Sequence, residues 1–464
     1  MLNGPAQPTR QRHVLILLLF LHTVNTYLDR VCISAAAGDI KTDLRLSDQM
    51  MGYVFGAFAV GYALFQIPAG WLSDRLGPRK VLAGVVLAWS LFTALTGAAW
   101  NLAGLLVVRF LFGVGEAGAF PGATRAFYTW LPVGERGLAQ GLFHSGARAG
   151  AAVTLLTMPW LIGVLGWRWM FVTNGALGIA WALAWIGWFR DDPAQHRFTN
   201  AAELKHIQAG VKEDFVVSQR ITFLQMATSP NMLLAMFQYV ASNVTFFISF
   251  TWLLPYLQTR WGPEAVVWAP VPLVFGMAAQ WTSGGLVTWL YRCGFRVGSR
   301  RAPAMGGFLL STVGLILCVL AAPDSALAFV LCFGVAVFGV EMTISPSWAF
   351  CMDVGGERSG AVSGSMNMLG NLGAALSAIL FPFFVSHVTL PTLGAKPGTA
   401  DSFFVFAAGL NLLAALAWLG MNPGRKLGAA ASTASQWIRA IAFALLIAGV
   451  VAALIYATFF LRKP

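Results

Sequence analysis

Long apolar runs recur along this chain with only short polar breaks between them, and that pattern leaves few folds open. A helix of about 20 apolar residues spans the ~30 Å of a bilayer's hydrocarbon. Runs of that length lie near 13–36, 49–72, 80–99, 101–124, 137–162, 169–189, 232–257, 265–290, 303–321, 325–350, 359–386 and 402–421, twelve in all. Lipid offers no hydrogen bonds, so backbone groups must be satisfied within each span, which such runs achieve as helices. The expectation is an all-α membrane protein. The spans fall six plus six around one long polar stretch. That gives a first bundle at 1–189, a cytoplasmic linker with a short surface helix at 190–230, and a second bundle at 231–421. A thirteenth run, Trp437 to Leu461, follows a GAAASTAS linker and makes 422–464 a separate element. It either spans the membrane or packs at an edge.

Composition agrees. Hydrophobic residues make up 58% and charged residues 10%, against roughly 25% charged in soluble domains. The formal charge of +12 comes from basic residues scattered singly through short loops, with no stripe suited to nucleic acid. Most of them fall in loops on the N-terminal side of the membrane, so the positive-inside rule puts both ends of the twelve-span core in the cytoplasm. A spanning thirteenth helix would carry Arg462 and Lys463 outside, against that rule. The first run follows Arg10 and Arg12 as a signal peptide would, but it holds Asp29 and Arg30 and many spans follow it. It is expected to be retained as the first span. The five cysteines show no C-x-x-C spacing and suggest neither metal nor disulfide. Phosphate-loop, nucleophile-elbow and HExxH patterns do not occur, which argues against an ATP-driven pump, a membrane enzyme or a bound cofactor.

The two halves also match each other. GEAGAFP (Gly115–Pro121) corresponds to VEMTISP (Val340–Pro346), with Glu116 and Glu341 each five residues before a proline. ERGLAQG (Glu135–Gly141) pairs with ERSGAVSG (Glu357–Gly364), and HSGARAGAA (His144–Ala152) with NMLGNLGAA (Asn367–Ala375). A duplicated six-helix unit predicts a substrate site near the bilayer midplane, between the repeats.

Charges within spans are costly, about 2.5–3.5 kcal/mol each at a helix centre, and mark function. The first span carries Asn25, Tyr27, Asp29 and Arg30. Tyr27 and Arg30, three apart, share a face; Asn25 and Asp29, four apart, share the next. Arg109 and Glu116 in the fourth span are seven apart, again on one face. An Asp29–Arg109 bridge locking the two spans is the structural alternative, and a transport cycle could break it. His144 and Arg148 lie four apart in the fifth span, with Arg148 about 12 Å into the helix by its rise. Arg148 either snorkels to an interface, pairs with an acid such as Glu341, or meets a second anionic group of a substrate. His144 reads as a hydrogen-bonded polar residue. In the second half, Gln238, Tyr239, Asn243, Asn367 and Asn371 are uncharged candidates; amides can bond substrate hydroxyls or glue helices together. The role of Glu341 stays open.

Between the second and third spans lies GWLSDRLGPRK, with Gly70, Asp74, Arg75, Gly77 and Arg79 at the spacing G-x-L-x-D-R-x-G-x-R. This resembles the signature loop of the major facilitator superfamily, whose fold is two six-helix bundles related by a pseudo-two-fold axis. The resemblance implies a cytoplasmic gating latch. The second-half copy (Gly284–Arg301) has Thr288 in place of the aspartate, implying a weaker one. Y-x-D-R in the first span and R-F-x-x-G-x-G-E in the fourth resemble the anion:cation symporter family of sialin, vesicular glutamate transporters and bacterial sugar-acid permeases. Pro132–Gly137, Gly166–Phe171 and the Asp191–His196 exit fit as well. That resemblance covers residues 13–421. It implies substrate contacts from Tyr27, Arg30 and Arg109, proton coupling through Asp29 and Glu116, and no metal. Where relatives read FNSG, this chain reads LFHSG followed by Arg148.

The expected protein is a monomeric, multi-pass transporter of the cell inner membrane, with its N-terminus cytoplasmic. It imports a small organic anion, a sugar acid or an aromatic or dicarboxylic acid, with protons by alternating access. A proton-driven exporter of drugs or metabolites on the same fold is the alternative; such pumps line their cavities with apolar residues and need fewer midplane cations.

Overall fold

The structure, a computed structural model, describes residues 7–211, 226, 228–320, 325–388 and 399–427. The expected thirteenth run, Trp437–Leu461, lies outside the described residues. Two compact units divide the chain: Met1–Ser218 with Gly355–Gly364, and Gln219–Val354 with Ser365–Pro464.

In the first unit the helices are α1 Gln11–Ala35, α2 Ala37–Leu44, α3 Asp48–Leu76, α4 Pro78–Gly97, α5 Leu102–Glu116, α6 Ala119–Trp130, α7 Arg136–Trp188 and α8 Ala201–Val211. The expected fifth and sixth spans both lie in α7, separated at Gly166 with φ 77°, a left-handed conformation that glycine adopts without strain. The expected fourth span is α5 followed by α6. Pro121, in the first turn of α6, has no N–H and crowds the carbonyl four residues back, so the helix breaks just after Glu116. The first half of α7 packs on α1 with Gly150 against the Val24 carbonyl and the Tyr27 side chain. A side chain there would push the two helices apart, as at other close helix crossings in membranes.

The second unit contains α9 Pro230–Phe246, α10 Ile248–Thr251, α11 Leu253–Trp261, α12 Val271–Arg292, α13 Gly298–Leu320, α14 Ala326–Met342, α15 Ile344–Gly355 up to Val354, α16 Ser359–His387 from Ser365 onward and α17 Asp401–Gly420, the first turns of α16 belonging to the first unit. The seventh span is not the single helix its apolar run suggests. It breaks at Phe247 and Trp252, and Pro255 accounts for the second break by the same missing N–H. The repeat of the Glu116 break is visible here too: α14 stops one residue after Glu341, and Pro346 opens α15. The Met342 carbonyl is taken up by the Ser283 hydroxyl at 2.5 Å. Phe329, Phe333, Phe381, Phe403 and Phe404 form the aromatic centre of this unit's core.

Among the described residues nine helical stretches are long and apolar enough to cross a membrane. Twelve spans become nine because neighbours run together, as in Ala326–Ser386, and the seventh is in pieces. Leu156 is 80% exposed and Leu320 68%; apolar surface of this kind is rare on soluble monomers and suits lipid.

The surface helix α8 is clasped to the start of α1. Glu203, fully buried, accepts from the Arg12 guanidinium at 3.0 Å and from the Arg10 amide at 2.7 Å. Glu135 accepts from Arg12 at 2.7 Å and faces His206 at 2.9 Å. Burial opposes the Glu135 charge, but those hydrogen bonds outweigh it and hold its carboxyl below the ordinary value.

The signature loop is equally well held. Gly77 (φ 85°) turns the chain between α3 and α4, and Asp191 accepts from the Arg79 amide at 2.8 Å. Asp74 accepts from the Gly360 and Ala361 amides at 2.9 and 2.8 Å, with Arg125 at 3.7 Å. These are the amides a helix start leaves unsatisfied. Gly70 packs on the Gly360 backbone, and Arg75 lies over the Trp71 ring. Asp74→Ala is therefore expected to lower the melting temperature of the purified protein. The lost cap is worth about 1 kcal/mol, and Arg125 loses its carboxylate as well. An unchanged melt would contradict this role.

Candidate functional site

Three helices of the first unit bring the charged residues together. From α1 come Tyr27, Asp29 and Arg30; from α3, Phe58 and Tyr62; from α5, Arg109 and Glu116. Arg30 Nε donates to Glu116 Oε1 at 3.0 Å, and a terminal nitrogen of Arg30 bonds the same oxygen. Glu116 is fully buried, and its Oε2 has no hydrogen-bond partner among the described residues. Three rings surround the Arg30 guanidinium: Tyr27 at 5.0 Å, Phe58 at 5.2 Å and Tyr62 at 4.6 Å. Each offers its negative face to the cation.

Arg109 is 2% exposed and makes no hydrogen bond or ion pair among the described residues. It lies over Phe112 at 4.4 Å and over Phe58 at 5.2 Å, so one phenyl ring serves both arginines. Asp29 is not its partner. The Asp29 carboxylate instead accepts from the Trp89 indole at 3.0 Å and from Asn25 at 3.4 Å. Hence the cross-helix bridge runs from Arg30 to Glu116 and not from Asp29 to Arg109. The face argument explains why: Arg30 projects on the Tyr27 side of α1 with α3 and α5, while Asp29 turns with Asn25 toward α4.

In α7, His144 and Arg148 are both buried. His144 Nδ1 lies 3.0 Å from the Gln140 carbonyl, a bond within its own helix. Arg148 sits on the stretch whose Gly150 packs on Tyr27, which brings it to the same region of the unit.

The second unit holds the uncharged candidates. The Asn243 amide donates to the Tyr239 carbonyl and the Asn371 amide to the Asn367 carbonyl, both at 2.8 Å. Trp348 donates to the Tyr239 hydroxyl at 3.0 Å, and Gln238 bonds Ala235 and Ser347. Gly370 lies against Tyr239 and Asn243, so Asn367 and Asn371 are on the part of α16 that faces them. Glu341 accepts from Gln280 at 2.5 Å.

Four residues of the site were not singled out from sequence: Phe58, Tyr62, Phe112 and Trp89. Phe58 and Tyr62 are four apart on one face of α3, the single sequence signal that could have marked a cation-holding surface. Phe112 and Trp89 look like ordinary apolar filling.

Comparison with known proteins agrees with this architecture. The Major Facilitator Superfamily profile matches residues 18–378. A probable sulfoacetate transporter of Cupriavidus necator is 31% identical over 422 residues, covering 90% of this chain and 95% of that protein. A probable galactarate/D-glucarate transporter of Bacillus subtilis is 31% identical over 429 residues, covering 88% and 91%. A D-galactonate transporter of Escherichia coli is 30% identical over 403 residues, covering 82% and 90%. Among solved structures, a proton:xylose symporter shares the fold with a TM-score of 0.65 at 16% identity, over 89% of this chain and 97% of that one. A helical chain with paired bundles of membrane spans, matched over most of its length, belongs to the Major Facilitator Superfamily and is a multi-pass membrane transporter, not an enzyme.

Proposed function

We propose that this transporter carries a small organic anion, a sugar acid or a related short dianion, into the cell across the inner membrane together with protons, its N-terminus facing the cytoplasm. The observation that carries this reading is Arg109, a buried guanidinium that no carboxylate hydrogen-bonds among the described residues, although Glu116 and Asp29 lie within electrostatic range. A buried charge left uncompensated is costly, and a planar fork of donors suits a carboxylate. Arg30 is the second receptor, held by Glu116 until that acid takes a proton. The charges of Asp29, Arg30, Arg109 and Glu116 then set the coupling. With Asp29 and Glu116 ionised, the two arginines are balanced. With both protonated, Arg30 and Arg109 lose their counter-charges and Arg148 adds a third cation, so the site attracts an anion. Tyr27 lines the Arg30 pocket, and the amides of the second unit are candidates for substrate hydroxyls. No metal or organic cofactor is required; the coupling ion is H⁺.

The relatives' named substrates include both classes: galactarate, glucarate and sulfoacetate carry two anionic groups and galactonate one. Arg148 is the candidate for the second group. Arg148→Ser is expected to weaken binding of galactarate at least tenfold, about 1.4 kcal/mol, while leaving galactonate within twofold. Equal losses on both, measured by thermal shift, would make Arg148 structural.

The test of function is uptake of labelled galactarate, sulfoacetate and galactonate by proteoliposomes under an imposed proton gradient. Accumulation that collapses with a protonophore is the expected result. Accumulation of none of them, with proton-driven loss of a hydrophobic dye, would make the protein an exporter.

A further inference from the structure

The two coupling acids are held very differently, and only one has a partner that can move away. Glu116 answers to Arg30. Asp29, 1% exposed, has two neutral donors among the described residues, and both converge on one oxygen: Trp89 Nε1 at 3.0 Å and Asn25 Nδ2 at 3.4 Å from Oδ2. Its other oxygen, Oδ1, is buried with no partner among the described residues. The donors are themselves fixed. Trp89 is fully buried in α4, with its ring 5.2 Å from His22. Asn25 and Ser90 close on Gly178 of α7, where a side chain would strike both.

We propose that Trp89 is a positioning residue for proton coupling: its indole N–H ties down Asp29 Oδ2 and leaves Oδ1 as the atom that takes and releases the proton. This rests on the reading of Asp29 as a coupling acid given above. A neutral indole donates to a carboxylate and to a carboxylic acid's carbonyl oxygen alike, so the contact survives both protonation states. It therefore keeps the acid oriented through a cycle, whereas a cation would move with the charge. Because hydrogen bonding favours the ionised form, the indole also tunes the pH at which Asp29 lets its proton go.

The ionisable groups that act on Asp29 are Glu116 and Arg109 on α5 and Cys32 on its own helix; the others on the elements around it are His22, Tyr27 and Arg30 on α1 and His144 and Arg148 on the first half of α7. The stretches 81–97 of α4 and 175–188 of α7, which pack against this side of α1, carry none. Removing the indole N–H therefore changes one donor without displacing a charge.

The test is an infrared pH titration of the purified protein, which needs no substrate. The carboxyl band that disappears in Asp29→Asn identifies the group. In Trp89→Phe, which keeps an aromatic ring and loses the N–H, that band's midpoint is expected to move up by about one pH unit, a tenfold change in proton affinity. Asn25→Ala, lacking the longer bond, should move it the same way by less, and it carries the test if Trp89→Phe does not fold. A midpoint unmoved in the folded variants overturns the proposal. If no band is lost in Asp29→Asn, the assignment of Asp29 as a proton carrier has failed and this inference falls with it.

Discussion

Glu116→Gln is expected to abolish proton-driven accumulation while leaving substrate exchange intact. The amide resembles the protonated acid in shape and polarity but cannot ionise. Arg30 is then permanently free of its carboxylate, and the site stays in the form that accepts an anion. Exchange of internal for external substrate needs only that form, so counterflow continues. Net accumulation needs the proton to leave on the inner side, and the amide has none to give. The expected result is uptake that stops when inside and outside concentrations are equal, at any imposed gradient. Substrate affinity should also lose its dependence on pH through this group. A Glu116→Gln protein that still concentrates substrate would remove Glu116 from the coupling mechanism.

Arg109→Ala is expected to lower substrate affinity at least a hundredfold, about 2.7 kcal/mol, without lowering stability. The second half of that statement separates the two arginines. Arg109 has no hydrogen-bonded carboxylate to strand among the described residues, only the longer-range field of Glu116 and Asp29, so its removal relieves a desolvated charge and the melting temperature should hold. Arg30→Ala leaves Glu116 buried without its cation, a loss that costs about 3–5 kcal/mol when such pairs are broken. The Arg30 variant should therefore bind poorly and melt early, while the Arg109 variant binds poorly and melts normally. Thermal melts with and without galactarate read both effects at once. Retained stabilisation by ligand in Arg109→Ala would take Arg109 out of the binding site.

Most of the membrane architecture was legible in the sequence, because a span announces itself by length and hydropathy alone. Its interruptions were less so. The break after Glu116 and the piecewise α9–α11 depend on where Pro121 and Pro255 crowd the preceding turn, which an apolar run conceals. For the site, helical periodicity separated the Tyr27–Arg30 face from the Asn25–Asp29 face correctly. It could not say which neighbour each face would meet. That is decided by packing between helices distant in sequence, and so Arg30 found Glu116 while Asp29 found Trp89. The aromatic residues around the cations escaped notice for a different reason. In a lipid-soluble chain a phenylalanine is unremarkable, and nothing in its type tells a cation's platform from ordinary filling.

Phe58 has one more consequence. Its ring lies 5.2 Å from both guanidinium groups, one of which makes no ion pair among the described residues. Two like charges resist being gathered, and in water an anion that binds a pair of free arginines must first overcome their repulsion and their freedom to swing apart. Here that assembly is completed when the helices pack, and the quadrupole of a single ring softens the repulsion. The incoming ligand finds its receptors already converged, which is how preorganisation converts folding energy into affinity. The same economy makes the position intolerant. An aliphatic side chain of equal bulk at residue 58 would fill the space and leave the two cations to push each other out of register.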